Sequence, residues 1–231
     1  MTMQIVSQAL HEKGRQQQEL ARRLTFPPLD VDAVRLVAGV DTAYWREGDV
    51  EYGACCVVVI DVATGHPVEI RTANGVVTEE YLPSFLSYRE LPLFLEAFSQ
   101  LGAAPDAVMF DGNGYLHPRH MGIASHASLM IDLPCLGVAK TFFNYGREGF
   151  VMPDDRVGAY TDIVVNGEVC GRALRTRRGV KPVFVSAGGH IDLESSMALT
   201  LRVLSGDSRV PIPTRLADVE SHRLRAQLRG E

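Results

Sequence analysis

The stretch Asp106–Lys140, DAVMFDGNGYLHPRHMGIASHASLMIDLPCLGVAK, organises the reading of this chain. The apolar run Ala107–Phe110 predicts a short buried strand running into Asp111, with Gly112 and Gly114 behind it. A basic, histidine-bearing turn follows, then a small-residue helix over about 120–131. A second buried strand over 135–139 ends at Lys140. A lone Asp-Gly after a strand is usually just a turn. An acid in that place with flexible glycines behind it is also a common way to aim a carboxylate at a metal or substrate. The company of His117, Arg119, His120 and Lys140 points to a site for a phosphate-bearing ligand.

Working outward, residues 4–24 show helical spacing of Ile5, Leu10, Leu20 and Leu24, and the paired prolines of TFPPLD are expected to end that helix. Leu36–Tyr44, Glu51–Val62 and Pro67–Val77 read as three strands of a meander, with ATGH as a tight turn. EEYLPSFLSYRELP is a loop leading into a helix that runs to about Leu101. Beyond Lys140 the chain is irregular in its middle, with strands near 162–165 and 168–174 and a buried strand at Val183–Ala187. A helix capped by Asp192 follows, and a last helix is expected over about 215–229, after PIPTR. Three antiparallel strands followed by alternating helix and strand predict one α/β mixed sheet with helices on both faces. This is the ribonuclease H-like order, in which acids lie on the first strand, a nearby helix, the fourth strand and a late helix.

The 231 residues, 46% hydrophobic and 22% charged, suffice for a sizeable core in a single domain spanning 1–231. Cys55, Cys56, Cys135 and Cys170 form no CxxC pair and no zinc-spaced cluster, so they read as buried free thiols of a reducing compartment. The N-terminus lacks the apolar core of a signal peptide, and no apolar run approaches membrane-spanning length. The expectation is a soluble, cytoplasmic protein with no membrane partner, and a monomer. A net charge of −5 argues against a non-specific nucleic-acid coat but not against a nuclease with a local basic track. Arg172, Arg175, Arg177, Arg178 and Lys181, and again Arg215, Arg223, Arg225 and Arg229, are most simply solvated basic faces.

Four acids stand out. Asp41 lies in an otherwise apolar strand, where a carboxylate is costly unless paired, hydrogen-bonded or metal-bound; the plainer alternative is an acid at a frayed strand end. Glu90 and Asp218 fall near helix starts, where first-turn acids favour the dipole. Asp111 ends the fourth strand. Together they occupy the places a two-metal nuclease sheet would use. Magnesium, with its preference for oxygen ligands and retained waters, suits such a set. Lys140 beside them could stabilise charge developing on a phosphate. His117 and Arg119 could reach a phosphate or base edge. In Glu80–Ser87, Tyr81, Leu82, Phe85 and Leu86 around Pro83 read either as packing at the helix start or as a wedge inserted where a base leaves the stack.

With these residues assembled, the chain resembles the endonuclease V family, from VAGVD (Val37–Asp41) through PTRLAD (Pro213–Asp218). The most specific blocks are YLPSFLSYRE, DGNGYLHPRHMGIASH and LPCLGVAK. The resemblance implies magnesium-dependent hydrolysis (manganese substituting) of the second phosphodiester bond 3′ to a deaminated purine, chiefly hypoxanthine, in DNA. The products would be 3′-hydroxyl and 5′-phosphate ends. It implies that Asp41, Glu90, Asp111 and Asp218 bind metal, Asp218 falling where members carry His or Asp, and that Lys140 joins them in catalysis. It further implies that Tyr81, Leu82, Pro83 and Ser84 form the wedge, and that Arg89, His117 and Arg119 lie near the lesion strand. Leu86, Gly112, Gly114, Ile123, Gly137 and Ala139 would build the base pocket. Glu80 and Ser84 replace the usual proline and glycine, Asn113 stands where many bacterial members have His, and His120 replaces an arginine. An inosine-specific ribonuclease and a non-cleaving reader of deaminated bases remain as alternatives.

Overall fold

The computed structural model describes residues 2–144 and 149–231; the side chains of residues 2–7, Ile5 among them, and residues 145–148 of the irregular stretch lie outside the described part. The elements run α1 (Thr2–Ala21), β1 (Leu36–Glu47), β2 (Val50–Asp61), β3 (Pro67–Val76), α2 (Leu86–Phe98), β4 (Ala107–Phe110), α3 (Ile123–Ile131), β5 (Cys135–Ala139), β6 (Tyr160–Val165), β7 (Glu168–Leu174), β8 (Val183–Gly189), α4 (Leu193–Arg202) and α5 (Ile212–Arg229). One eight-stranded sheet in the order β3-β2-β1-β4-β5-β8-β7-β6 runs through them. β1–β2 and β2–β3 pair antiparallel, whereas β1–β4 and β4–β5 pair parallel. The remaining three pairings are antiparallel, giving the mixed sheet that the sequence predicts.

Strand alternation divides the core. Val58 and Ile60 of β2, with Val37 and Met109, pack towards Met197 and Leu199 of α4 and Ala217 of α5. Val57 and Val59, with Ala38, Val40 and Phe110, pack on the opposite face against Phe94 and Ala97 of α2 and Ala124 and Ala127 of α3. Helices therefore cover both faces. All four cysteines are free and buried, as expected.

Several boundaries differ from the sequence reading. α1 stops at Ala21, ahead of the prolines, where the Arg23 N–H closes a tight turn on the Leu20 carbonyl at 2.9 Å. β1 extends three residues past Tyr44 because its whole length, to Glu47, pairs with β2. α5 begins at Ile212, so PIPTR is its first turn rather than its prelude; Pro213 sits where a missing N–H costs nothing. The basic stretch after β7 is also not a uniform solvated face. Arg172 and Arg175 are buried, Arg172 between Asp162 and Glu194 at 2.8 and 2.6 Å, and Arg175 against main-chain carbonyls including that of Pro153 at 3.0 Å.

The first turn of α5 lies directly on β1 at Gly39. A methyl group there would overlap the Pro213 carbonyl and crowd the Thr214 nitrogen at 2.6 Å. Gly39→Ala is therefore expected to cost about 1–3 kcal/mol by overpacking. It should lower the urea midpoint without changing the m-value, whereas Gly149→Ala, with open space around it, should leave the midpoint unchanged.

Candidate active site

Parallel pairing of β1 and β4 sets two acids side by side. Val40 pairs with Phe110, so Asp41 and Asp111 come next on adjacent strands, and the Asp111 N–H reaches the Val40 carbonyl at 3.4 Å. Asp41 lies mid-strand rather than at a frayed end. Alternation turns it to the α5 side, where Ser221, fully buried, donates to its Oδ2 at 2.7 Å. Asp218 stands three residues before Ser221 on the same helix, in the second turn and not at a cap. Asp41, Asp111 and Asp218 each offer an oxygen within 4.8 Å of the others, the one such group among the described residues. Lys140, just past β5, bridges Asp111 and Asp218 at 2.6 Å each. Three carboxylates against one ammonium leave a net deficit of positive charge, and an all-oxygen donor set of this kind fits a divalent cation.

Glu90 stands outside this group. It is in the second turn of α2, not the first, on the opposite side of β1, and accepts a hydrogen bond from the Tyr44 hydroxyl at 2.8 Å. Arg89 turns inward too. Its guanidinium lies over the Tyr44 ring at 4.1 Å and pairs with Glu51 at 2.8 Å. Buried in this way, Arg89 braces the acids' surroundings instead of meeting a nucleic-acid strand, correcting the expectation for that residue.

Burial pushes the Asp41 and Asp111 carboxyls above the usual range; the Ser221 hydrogen bond opposes this at Asp41, and the Lys140 charge opposes it at Asp111. Glu90 is raised to about 8, first by burial, with the Tyr44 hydrogen bond pulling the other way. Burial works against the Lys140 ammonium, but Asp111 and Asp218 outweigh it and hold the group above the ordinary lysine value.

Beside the acids is a narrow cleft of about 80 Å³, lined by Tyr81, Leu86, Ser87, Asn113, Met121 and Ile123 among others. Asn113 follows Asp111 by two residues, and Ser87 precedes Glu90 by one helical turn, so the cleft and the carboxylates share two elements. The Asn113 Oδ1 is buried with no hydrogen-bond partner among the described residues. Leu86 and Ile123 line this cleft. Gly114, Gly137 and Ala139 are not among its lining residues. A side chain on Gly114 would collide with the Ala187 carbonyl, one on Gly137 with the Gly114 nitrogen at 2.6 Å, and Ala139 is buried against another core cluster. Gly112 keeps Ile123 close, since a methyl there would lie 2.8 Å from its Cγ2. These residues let the loop press onto β5 and β8 rather than line the cleft.

The endonuclease V family model matches residues 18–219. The chain is 49% identical over 212 residues to endonuclease V of Bacillus velezensis, covering 91% of this chain and 89% of that protein. The chain belongs to the endonuclease V family. The crystal structure of endonuclease V from Bacillus subtilis superposes with a TM-score of 0.89 at 47% identity, covering 93% of this chain and 91% of that one. Endonuclease V of Ciona intestinalis, in complex with a 24mer DNA containing an inosine followed by a ribo-adenosine, gives 0.85 at 25% identity, covering 96% and 99%. As a member of this family the chain is an endonuclease, which sets the non-cleaving reader aside.

Ser84 holds a backbone conformation that is uncommon for a residue with a side chain. Ser84 has φ 68°, in the left-handed region that glycine adopts freely. Four donated hydrogen bonds hold it there. Its carbonyl accepts from Gln17, His117 and Arg119 at 3.0 Å each, and its hydroxyl from Arg119 at 2.8 Å. His117 and Arg119 are therefore clamps on the wedge loop, not free contacts to a phosphate. The Arg119 and Met121 N–H groups both point at His117 Nδ1 at 3.2 Å, which places the proton on Nε2. Burial lowers the imidazole to about 3, so it stays neutral. In the loop before α2, Tyr81 is 61% exposed and Pro83 is exposed, so neither packs into the core at the helix start. No helix among the described residues is long and apolar enough to cross a membrane.

Ser221, Tyr44 and Gln17 were not singled out by the sequence. Ser221 had a signal, since it lies one turn after Asp218 on the same helix face. Gln17 lies on the stripe with Leu10 and Gly14 but is polar, and nothing around Tyr44 marks its partner.

The raised Glu90 pKa has a stability consequence of definite sign. The folded state holds this proton more tightly than the unfolded chain, whose ordinary value is 4.5. Stability of the metal-free protein is therefore gained as pH falls through about 8, and this contribution is complete below about 4.5. Thermal midpoints in chelator should rise from pH 9 to pH 6, and Glu90→Gln should flatten that rise.

Proposed function

We propose that this chain is a DNA-repair endonuclease that hydrolyses the second phosphodiester bond 3′ to a deaminated purine, chiefly hypoxanthine. It would act with magnesium, or manganese in its place, and leave 3′-hydroxyl and 5′-phosphate ends. The observation that carries the reading is the carboxylate cluster beside a narrow cleft that contains an unsatisfied buried acceptor, Asn113 Oδ1. Buried polar atoms without partners are rare, and a ligand donor accounts for this one. The N1–H of hypoxanthine is such a donor.

Asp41, Asp111 and Asp218 would hold the metal, with Glu90 completing the set from the α2 side. A divalent ion bound there supplies Lewis-acid activation of water and stabilises the leaving oxygen. Lys140, held as an ammonium between Asp111 and Asp218, is placed to stabilise negative charge developing on the phosphate. Ser221 fixes one oxygen of Asp41 and leaves the other for a ligand. Exposed Tyr81 and Pro83, with Leu82 between them, would enter the space vacated by the flipped nucleotide. The whole chain would act as one catalytic domain and as a monomer, since the cluster and cleft come from one chain. Its free buried thiols fit a reducing cytoplasm.

A second reading, an inosine-directed ribonuclease, has a specific support. The Ciona relative was crystallised on DNA in which a ribonucleotide follows the inosine.

Matched oligonucleotides with one inosine, as duplex DNA, single-stranded DNA and RNA, are the test. Magnesium-dependent nicking at the second bond 3′ to inosine is expected, abolished by chelator. A better RNA than DNA substrate would favour the second reading, and no nicking on any would sink both. Asp111→Asn should lose cutting by at least about 100-fold, the scale of removing one group that stabilises developing charge, while retaining inosine binding in a gel-shift assay. Tyr81→Ala should weaken discrimination of inosine from adenosine with an unchanged thermal midpoint.

A further inference from the structure

α1 carries a polar stripe with no place in the site described above. His11, Arg15 and Gln18 follow one another at spacings of four and three, so they lie along one face of the helix, and Arg22 stands four residues on, just past the last helical residue Ala21. They line two open clefts, of about 610 and 470 Å³, that meet at Gln18 and Arg119. The far wall is the turn Tyr115–His120. Among the described residues no carboxylate lines either cleft, in a protein whose net charge is −5.

The groove opens onto the wedge. Phe85 lines it, with the Arg119 guanidinium over its ring at 4.4 Å. α1 is also fixed relative to the wedge loop. Gln17, fully buried, donates to the Ser84 carbonyl and accepts from Arg119 Nε at 2.5 Å, and the Tyr88 hydroxyl donates to the Lys13 carbonyl at 3.1 Å. From His11 to Arg22 the stripe spans about 17 Å, the axial length of about five nucleotides of duplex. Arg22 has no ion pair among the described residues. Arg15 faces only the exposed carboxylates of Glu12 and Glu19, at 2.7 and 3.9 Å. Exposed pairs of this kind are weak and exchange readily.

We infer that this groove is a second nucleic-acid contact, in which α1 tracks the phosphodiester backbone of substrate DNA beside the wedge and away from the carboxylates. The inference rests on the proposed DNA substrate.

The experiment measures the affinity of the full-length protein for a 30-base-pair duplex with one inosine, in chelator, at several salt concentrations. Arg15→Gln and Arg22→Gln are each compared with wild type. Each is expected to weaken binding at low salt and to reduce the slope of log K against log salt by about 0.9, the loss of one phosphate contact. Thermal midpoints verify folding. Slopes equal to wild type would overturn the inference, as would an equal reduction from Arg229→Gln at the far C-terminal end of α5. Absence of inosine-dependent binding by the wild-type protein would instead overturn the substrate reading on which the inference rests.

Discussion

Three carboxylates held within 4.8 Å of one another are the constraint around which this molecule is built. At an effective dielectric of about 20, each like-charged pair at that separation costs about 3–4 kcal/mol. The fold must supply the force that keeps them together. Parallel register of β1 and β4 supplies part of it, because Asp41 and Asp111 cannot separate without breaking the sheet. The dock of α5 on Gly39 supplies another part, because it brings Asp218 to them. Lys140 offsets some of the repulsion, and protonation through raised pKa values offsets more when no cation is present.

Glu90 shows how the second side of the sheet contributes. It approaches from α2, held by a chain that passes from Glu51 through Arg89 and the Tyr44 ring and hydroxyl. The same helix begins at Leu86, a residue of the cleft, and follows directly on the wedge loop. The cleft residue Leu86 and the buried Glu90 thus share one rigid element, and a displacement of α2 would be felt by both.

Much of this was legible in the sequence because short apolar runs bounded by strong punctuation admit few alternatives. β4 and β5 fall where Ala107–Phe110 and Cys135–Ala139 were read, the first closed by Asp-Gly and the second opened by Pro134. The start of α5 was set too late because PIPTR resembles a breaker, although proline is at home in a first turn. Three of the predicted acids converge as expected. Arg89, His117 and Arg119 could not be assigned from sequence spacing, since their partners lie on distant elements. Arg89 finds Glu51 on β2, and both His117 and Arg119 find a carbonyl on the loop before α2. Likewise Arg172 is paired by Asp162 of β6 and by Glu194, which reaches it from α4.

The clamp on Ser84 has an energetic consequence. Its left-handed backbone is held by Gln17, His117 and Arg119, which come from two separate parts of the chain. Restoring glycine at 84 would relax the backbone but strip Arg119 of its hydroxyl partner, while changing Gln17 would orphan both Arg119 Nε and one arm of the carbonyl. Substitutions at positions 17, 84 and 119 are therefore expected to be non-additive, each changing what the other two are worth to the loop.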